Sequence, residues 1–156
     1  RPLDISGIGL SQNQLKGLAL SLVAKTPDKR MEKVKVFGIK GQLNHVYTVG
    51  DYVFLDISYH NKTNLKYDIS DFRFKVDDKK VTKAANNQSV EIKPVFVLFN
   101  PPAFARNYRN IFVFKKMSFP GNKVLHAELS EKQLSGRIVT LSISYQDILD
   151  ADMLPN

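Results

Sequence analysis

The sequence predicts a mainly β fold, an antiparallel β-sandwich with one N-terminal α-helix. Three observations point to it. From Met31 onward, apolar residues recur at every second position, the period of a strand with one face on a core. Such runs return about eight times, at regular spacing, with Gly, Pro, Asn and Asp between them. No βαβ alternation interrupts them, so a parallel sheet is not expected. Short antiparallel strands in this number make an immunoglobulin-like sandwich, and 156 residues fit one domain over 1–156.

The helix is expected at about residues 11–25. Ser11 can cap it, with Gln14 three residues on as capping-box partner. Leu15, Leu18, Ala19, Leu22 and Val23 form one apolar stripe, and Pro27 ends the run. "KVKVFGIKG" and "LNHVYTVG" then read as short strands ending at glycine. In "DYVFLDISYHN", Val53, Leu55, Ile57 and Tyr59 share one face and Asp56, Ser58 and His60 the other, which predicts a half-buried strand. "NKTN" is a turn. "YDISDFRFKV" sets Phe72, Phe74 and Val76 against Arg73 and Lys75, and "DDKK" is read as the next turn. Pro94 gives "SVEIKPVFVLF" the character of an edge or a bulge. "NIFVFKKMSF" and "KVLHAEL" flank the turn "PGN", and "IVTLSISY" alternates Val139, Leu141, Ile143 and Tyr145 with Thr140, Ser142 and Ser144. An acidic tail follows.

Composition narrows the chemistry. There is no cysteine, so disulfides, thiolate nucleophiles and cysteine-based metal sites are excluded. Lys and Arg exceed Asp and Glu by eight, a balance attractive to acidic partners in general. No apolar run approaches the ~20 residues of a membrane-crossing helix. The chain starts at Arg1 without a leader and is taken as a processed form or fragment.

No catalytic constellation emerges, and neither a cofactor nor a metal is expected. His45, His60 and His126 fall on three separate strands, without the spacing of metal ligands. Asp147, Asp150 and Asp152 lack the glycine and distal glutamate of a calcium loop and read as a solvated helical end. Asn61 in "NKT" and Asn87 in "NQS" fit the N-glycosylation pattern.

One segment stands out. Between Ile92 and Ala127 lie six cations (Lys93, Arg106, Arg109, Lys115, Lys116, Lys123), seven aromatic rings and no acid. Cations interleaved with rings suit single-stranded nucleic acid. Phe96, Phe99, Phe112 and Phe114 lie in strand-like runs and are expected in the core. The middle, "NPPAFARNYRN", reads as a loop, because it has two prolines and three asparagines. Phe104, Arg106, Tyr108 and Arg109 on that loop are the candidate interaction residues, of the types enriched where proteins meet, the alternatives being a loop folded back on its own core or one that contacts nucleic acid. Replacing Phe104 and Tyr108 together by Ala is expected to leave the fold intact and weaken partner binding.

Two stretches resemble a known family. "GDYVFLDISYHNKTNLKYDISDFRFKVDDKKVTKAANNQSVEIKP" is similar to the central signature of the TraN proteins of Bacteroides-type conjugative transposons, through Asn61–Asn64, Tyr67–Ile69, Arg73–Phe74, Asp78–Lys80 and Glu91–Pro94. "MSFPGNKVLHAELSEKQLSGRIVTLSISYQDILDADML" is similar to that family's closing stretch. "KAANNQSVE" and "NPPAFARNYRN" depart from the family's pattern.

The resemblance implies the C-terminal domain of a non-catalytic structural subunit of a conjugative, type IV secretion-like DNA-transfer apparatus. Its place would be the periplasm or the outer-membrane-associated envelope. Its partners would be other subunits of the apparatus, or copies of itself. The alternatives are a nucleic-acid-binding module built on the basic aromatic segment and a carbohydrate-binding sandwich.

Overall fold

The computed structural model describes residues 9–27, 31–79, 89–134 and 136–153. Two sheets face one another and a helix covers the outside of the first. In chain order the elements are α1 (Gln12–Val23), β1 (Lys33–Val36), β2 (Ile39–Val49), β3 (Tyr52–Asn61), β4 (Tyr67–Asp78), β5 (Val90–Ile92), β6 (Phe96–Val97), β7 (Ala103–Phe104), β8 (Asn107–Lys115), β9 (Lys123–Glu131), β10 (Ile138–Ile143), α2 (Tyr145–Leu149) and β11 (Asp152–Met153).

The first sheet has the order β1-β2-β3-β8-β6, with β11 beside β2. The second has β10-β9-β4-β5, with β7 beside β4. All of these pairings are antiparallel except β11 on β2. The sandwich with an N-terminal helix that the alternation predicts is therefore the observed fold.

The helix forms where its local signals place it. Ser11 Oγ accepts from the Gln14 amide and Gln14 Oε1 accepts from the Ser11 amide, which closes the capping box. Leu15, Ala19 and Leu22 are buried against Tyr47, Val49, Tyr52, Phe54, Ile111 and Val113 on the outer face of the first sheet. The larger core lies between the sheets. There Leu43, Leu55, Ile57 and Phe112 of the first sheet meet Phe74, Leu125, Leu129 and Leu141 of the second.

Several local expectations give way to tertiary contacts. β3 is buried on both faces over Tyr52–Ile57, because α1 covers the side that the alternation assigned to solvent. "KVKVFGIKG" and "LNHVYTVG" are not two short strands; most of their length joins into the eleven-residue β2. Asp77 and Asp78 are not turn residues; they complete β4, opposite Val124 and Lys123. The acidic tail folds into α2 and β11, with Asp147 in a capping box with Ser144. Phe99 is 43% exposed and lies outside the core.

Candidate functional site

The loop expected at "NPPAFARNYRN" ends early. Ala103 and Phe104 pair with Tyr67 and Asp68 of β4, and Asn107 opens β8 opposite His60 of β3. Phe104 and Tyr108 are buried. Phe104 lies 5.3 Å from the Tyr67 ring and 5.4 Å from Tyr108, and Tyr108 stacks on Tyr59 at 6.0 Å. The Tyr108 hydroxyl accepts from Asn110 Nδ2 at 2.8 Å. These rings are core, so the expectation that replacing both would spare the fold is corrected. A buried Phe→Ala change costs about 3–5 kcal/mol by itself.

The two arginines bond to the protein itself, Arg109 from a half-buried position and Arg106 from an exposed one. Arg109 holds Asp56 with two bonds, Nε to Oδ1 at 2.9 Å and Nη2 to Oδ2 at 2.6 Å. Asp56 is fully buried, and its Oδ1 also accepts from Asn44 Nδ2 at 3.1 Å. Asn44 sits at a break in register where Asn44 and His45 together face Asp56, the two-against-one count of a β-bulge. Asn44 Oδ1 in turn accepts from Gln42 Nε2 and Ser58 Oγ.

This network reaches the end of the helix. Arg109 Nη2 donates to the Lys25 carbonyl at 2.7 Å, and His45 Nε2 lies 2.6 Å from the Thr26 carbonyl. A helix end leaves carbonyls without partners, and a cation there satisfies both hydrogen bond and dipole. The bonds to Asp56 hold the Arg109 guanidinium charged, with its pKa pushed above the ordinary value. Burial raises the Tyr47 hydroxyl to about 12, and the nearby Asp56 and Asp152 charges add to the effect.

Arg106 grips the β3–β4 turn. Its Nη1 donates to the carbonyls of Asn61 and Thr63, and its Nη2 donates to Asn64 Oδ1. Asn61 is buried, donates to the Leu65 carbonyl at 2.8 Å and accepts from the Thr63 amide at 2.9 Å. The Asn61 glycosylation triplet is therefore an internal turn; Asn87 lies outside the described residues.

The basic aromatic segment is thus dispersed. Of its seven rings, Phe99 alone is exposed, Phe96 is half-buried and the other five are buried. Of its six cations, Arg106 and Arg109 are engaged as above, Lys123 pairs with Asp78, and Lys115 lies over the Tyr52 ring at 4.7 Å. Two shallow clefts remain beside β8. One, of about 500 Å³, is lined by Phe99, Asn100, Pro101, Phe104, Asn107 and Tyr108 among others. The other, of about 350 Å³, shares Asn107, Tyr108 and Arg109 with it.

Elsewhere the titratable groups are also in structural service. His45, His60 and His126 stand on β2, β3 and β9, and His60 and His126 bond to Asn107 and Asp77. Asp147, Asp150 and Asp152 line a cleft of about 310 Å³ with His45 and Met31. Among the described residues, no group of three or more His, Asp or Glu is placed to hold a metal ion. No helix among them is long and apolar enough to cross a membrane.

The helix-end network was missed in the sequence because Asp56 and Arg109 are 53 residues apart. Its one readable signal was an aspartate inside an apolar strand. Searches of curated proteins and of solved structures return no match to this chain. A family model does match, over residues 13–153, from the second residue of α1 to the last of β11. The chain belongs to that family, described as a domain of unknown function, DUF4138.

Proposed function

We propose that the chain is a non-catalytic structural subunit of a conjugative DNA-transfer apparatus in the periplasm or at the outer membrane, related to the TraN proteins and acting by assembly with neighbouring subunits. The observation that carries this reading is the edge strand β10 of the second sheet. β10 is hydrogen-bonded to β9 and, among the described residues, to no strand on its other side. Its six residues, Ile138–Ile143, include no charge and no proline. β10 comes within 8 Å of β1 and β2 but forms no ladder with either, and an edge strand without such residues is a template for a strand from another chain. The resemblance at Tyr67–Ile69 and Glu91–Pro94 supplies the kind of machine. The engagement of Asp56, Arg106 and Arg109 in holding the fold supports a role without catalysis.

The test places a charge on that edge. Thr140 and Ser142 point away from the core, so Thr140→Lys with Ser142→Lys is expected to keep the fold. Co-purification of apparatus subunits with the full-length protein from mating-competent cells should then drop. Undiminished co-purification would remove β10 from the assembly. A carbohydrate-binding reading is favoured by one feature, the exposed Phe99 ring beside Asn100 and Asn107 in the larger cleft. It requires glycan binding that Phe99→Ala abolishes.

A further inference from the structure

We propose that one end of the sandwich is a membrane-docking surface, where Phe37, Leu65 and Leu134 enter the headgroup region of an anionic bilayer. The inference goes beyond the assembly reading and does not rest on it.

Topology brings three turns to this end. Val36 pairs with Ile39, which leaves Phe37 and Gly38 as the tip of the β1–β2 hairpin. Ile39 pairs with Asn61, so that tip lies beside the β3–β4 turn, and the Lys62 amide donates to the Gly38 carbonyl at 2.9 Å. A Cβ on Gly38 would stand 2.5 Å from the Thr63 methyl group, so the two turns touch. The β9–β10 turn joins them. The Lys132 amide donates to the Asp68 carbonyl at 2.8 Å, and Arg137 Nη1 donates to Thr63 Oγ1 at 3.0 Å.

Each turn sends out one large apolar side chain. Phe37 is 58% exposed, Leu65 72% and Leu134 100%, with Ile138 behind them at 48%. The turn that carries Leu65 is fixed from several sides. Arg106 bonds its Asn61, Thr63 and Asn64, and Arg137 bonds the Leu65 and Lys66 carbonyls. Phe37 has φ 54°, followed by Gly38 at 73°. A two-residue hairpin turn with both residues left-handed favours Asn or Asp in the first position; a bulky ring there is strained. Here the strained residue holds an aromatic ring out toward solvent.

The charge around the tips fits a negative surface. The three turns contribute Lys62, Lys66, Lys132 and Arg137, of which Lys66 and Arg137 pair with acids and Lys62 and Lys132 give the surplus positive charge. The nearby acids are already matched: Glu131 by two bonds from Arg137, and Asp68 by Lys66 at 3.5 Å. Apolar tips ringed by cations are what an anionic interface attracts. The three clefts described above are lined by other residues. Single side chains projecting from separate turns suit a fluid medium that closes around each one, whereas a folded partner would need a matching pocket for every tip.

The chain has no tryptophan, which makes the test direct. Phe37→Trp, Leu65→Trp and Leu134→Trp each install a single reporter. With vesicles of phosphatidylglycerol and phosphatidylcholine, all three should shift to the blue and be quenched by brominated acyl chains. Leu149→Trp, in α2 beyond the opposite end of β10, should do neither. The unaltered chain should co-sediment with these vesicles and not with phosphatidylcholine alone. Leu65→Ser with Leu134→Ser should weaken that partition roughly tenfold, with the circular dichroism of the fold retained because both side chains are exposed. Three results would each overturn the proposal: no co-sedimentation of the unaltered chain, adsorption with no blue shift at the three tips, or a double serine variant that loses a protein partner while its vesicle binding stands. None of them bears on the β10 edge.

Discussion

The two sheets treat their outer faces in opposite ways. The first sheet is covered: α1 lies over it, and beyond the helix end a fully buried carboxylate is held by Arg109. The second sheet is open, and its outer face carries ion pairs, Lys75 with Glu128 at 3.5 Å and Arg73 with Glu91 at 3.9 Å, and a hydrogen bond between His126 and Asp77 at 2.7 Å. Both faces carry paired charges, but water reaches both members of each outer pair, whereas in the Arg109–Asp56 pair the carboxylate is fully buried. Exposed pairs contribute about 0–1 kcal/mol each, because solvent screens them. Removing one member of a buried pair leaves an uncompensated charge and costs about 3–5 kcal/mol. A surface decorated with salt bridges can thus be nearly neutral for stability, while one pair with a buried carboxylate ties down the segment that follows the helix.

Three experiments break or sharpen this contrast. The largest effect is expected from Arg109→Ala, which strands Asp56 and frees the Lys25 carbonyl. A loss of about 3–5 kcal/mol should appear in urea unfolding; a loss under 1 kcal/mol would mean that the covered face is no drier than the open one. Ser11→Ala, at the other end of the same helix, should cost about 1 kcal/mol by removing the cap. The smallest effect belongs to the open face. Burial alone would raise the Asp77 pKa, but hydrogen bonds from Ser89 and His126 and the charges of His126 and Lys75 lower it overall from its ordinary 3.8. A lowered carboxylate stabilises the fold above about pH 4 and loses that contribution as pH falls through its folded value. Asp77→Asn should therefore flatten the acid limb of stability slightly and leave stability at pH 7 within a few tenths of a kcal/mol. A steep change at neutral pH would show that this face is shielded.

What the sequence made legible follows the same division. α1 could be read to within a residue or two, since its stripe and its capping box are local. The second sheet could be read from alternation, because one face of β9 and β10 does meet water. β3 could not, because the helix that buries its other face lies about thirty residues earlier. The surroundings of the candidate residues were hidden for a related reason. The prolines at 101 and 102 do mark a break, but Tyr108 and Arg109 belong to a strand whose direct partners in the sheet, Tyr59 and Ser58, lie in β3, far earlier in the chain. An arginine in a polar stretch reads as a surface residue until the carboxylate it reaches is known. Phe99 shows the converse, an apolar strand-like run that ends in open solvent.

The position of β8 between β3 and β6 also has a consequence during synthesis. β2 and β3 leave the ribosome as a ready hairpin around Gly50 and Asp51. The other side of β3 pairs only with β8, 47 residues later at His60–Asn107 and 63 residues later at Tyr52–Lys115. For that interval "YVFLDISY" is an apolar edge with no neighbour. Pairings of such separation close slowly and leave nascent chains prone to mispairing. The single aspartate in that stretch is the residue that will later be buried against Arg109. Until β8 arrives it is an unpaired charge on an open strand, the kind of residue that discourages a stray partner.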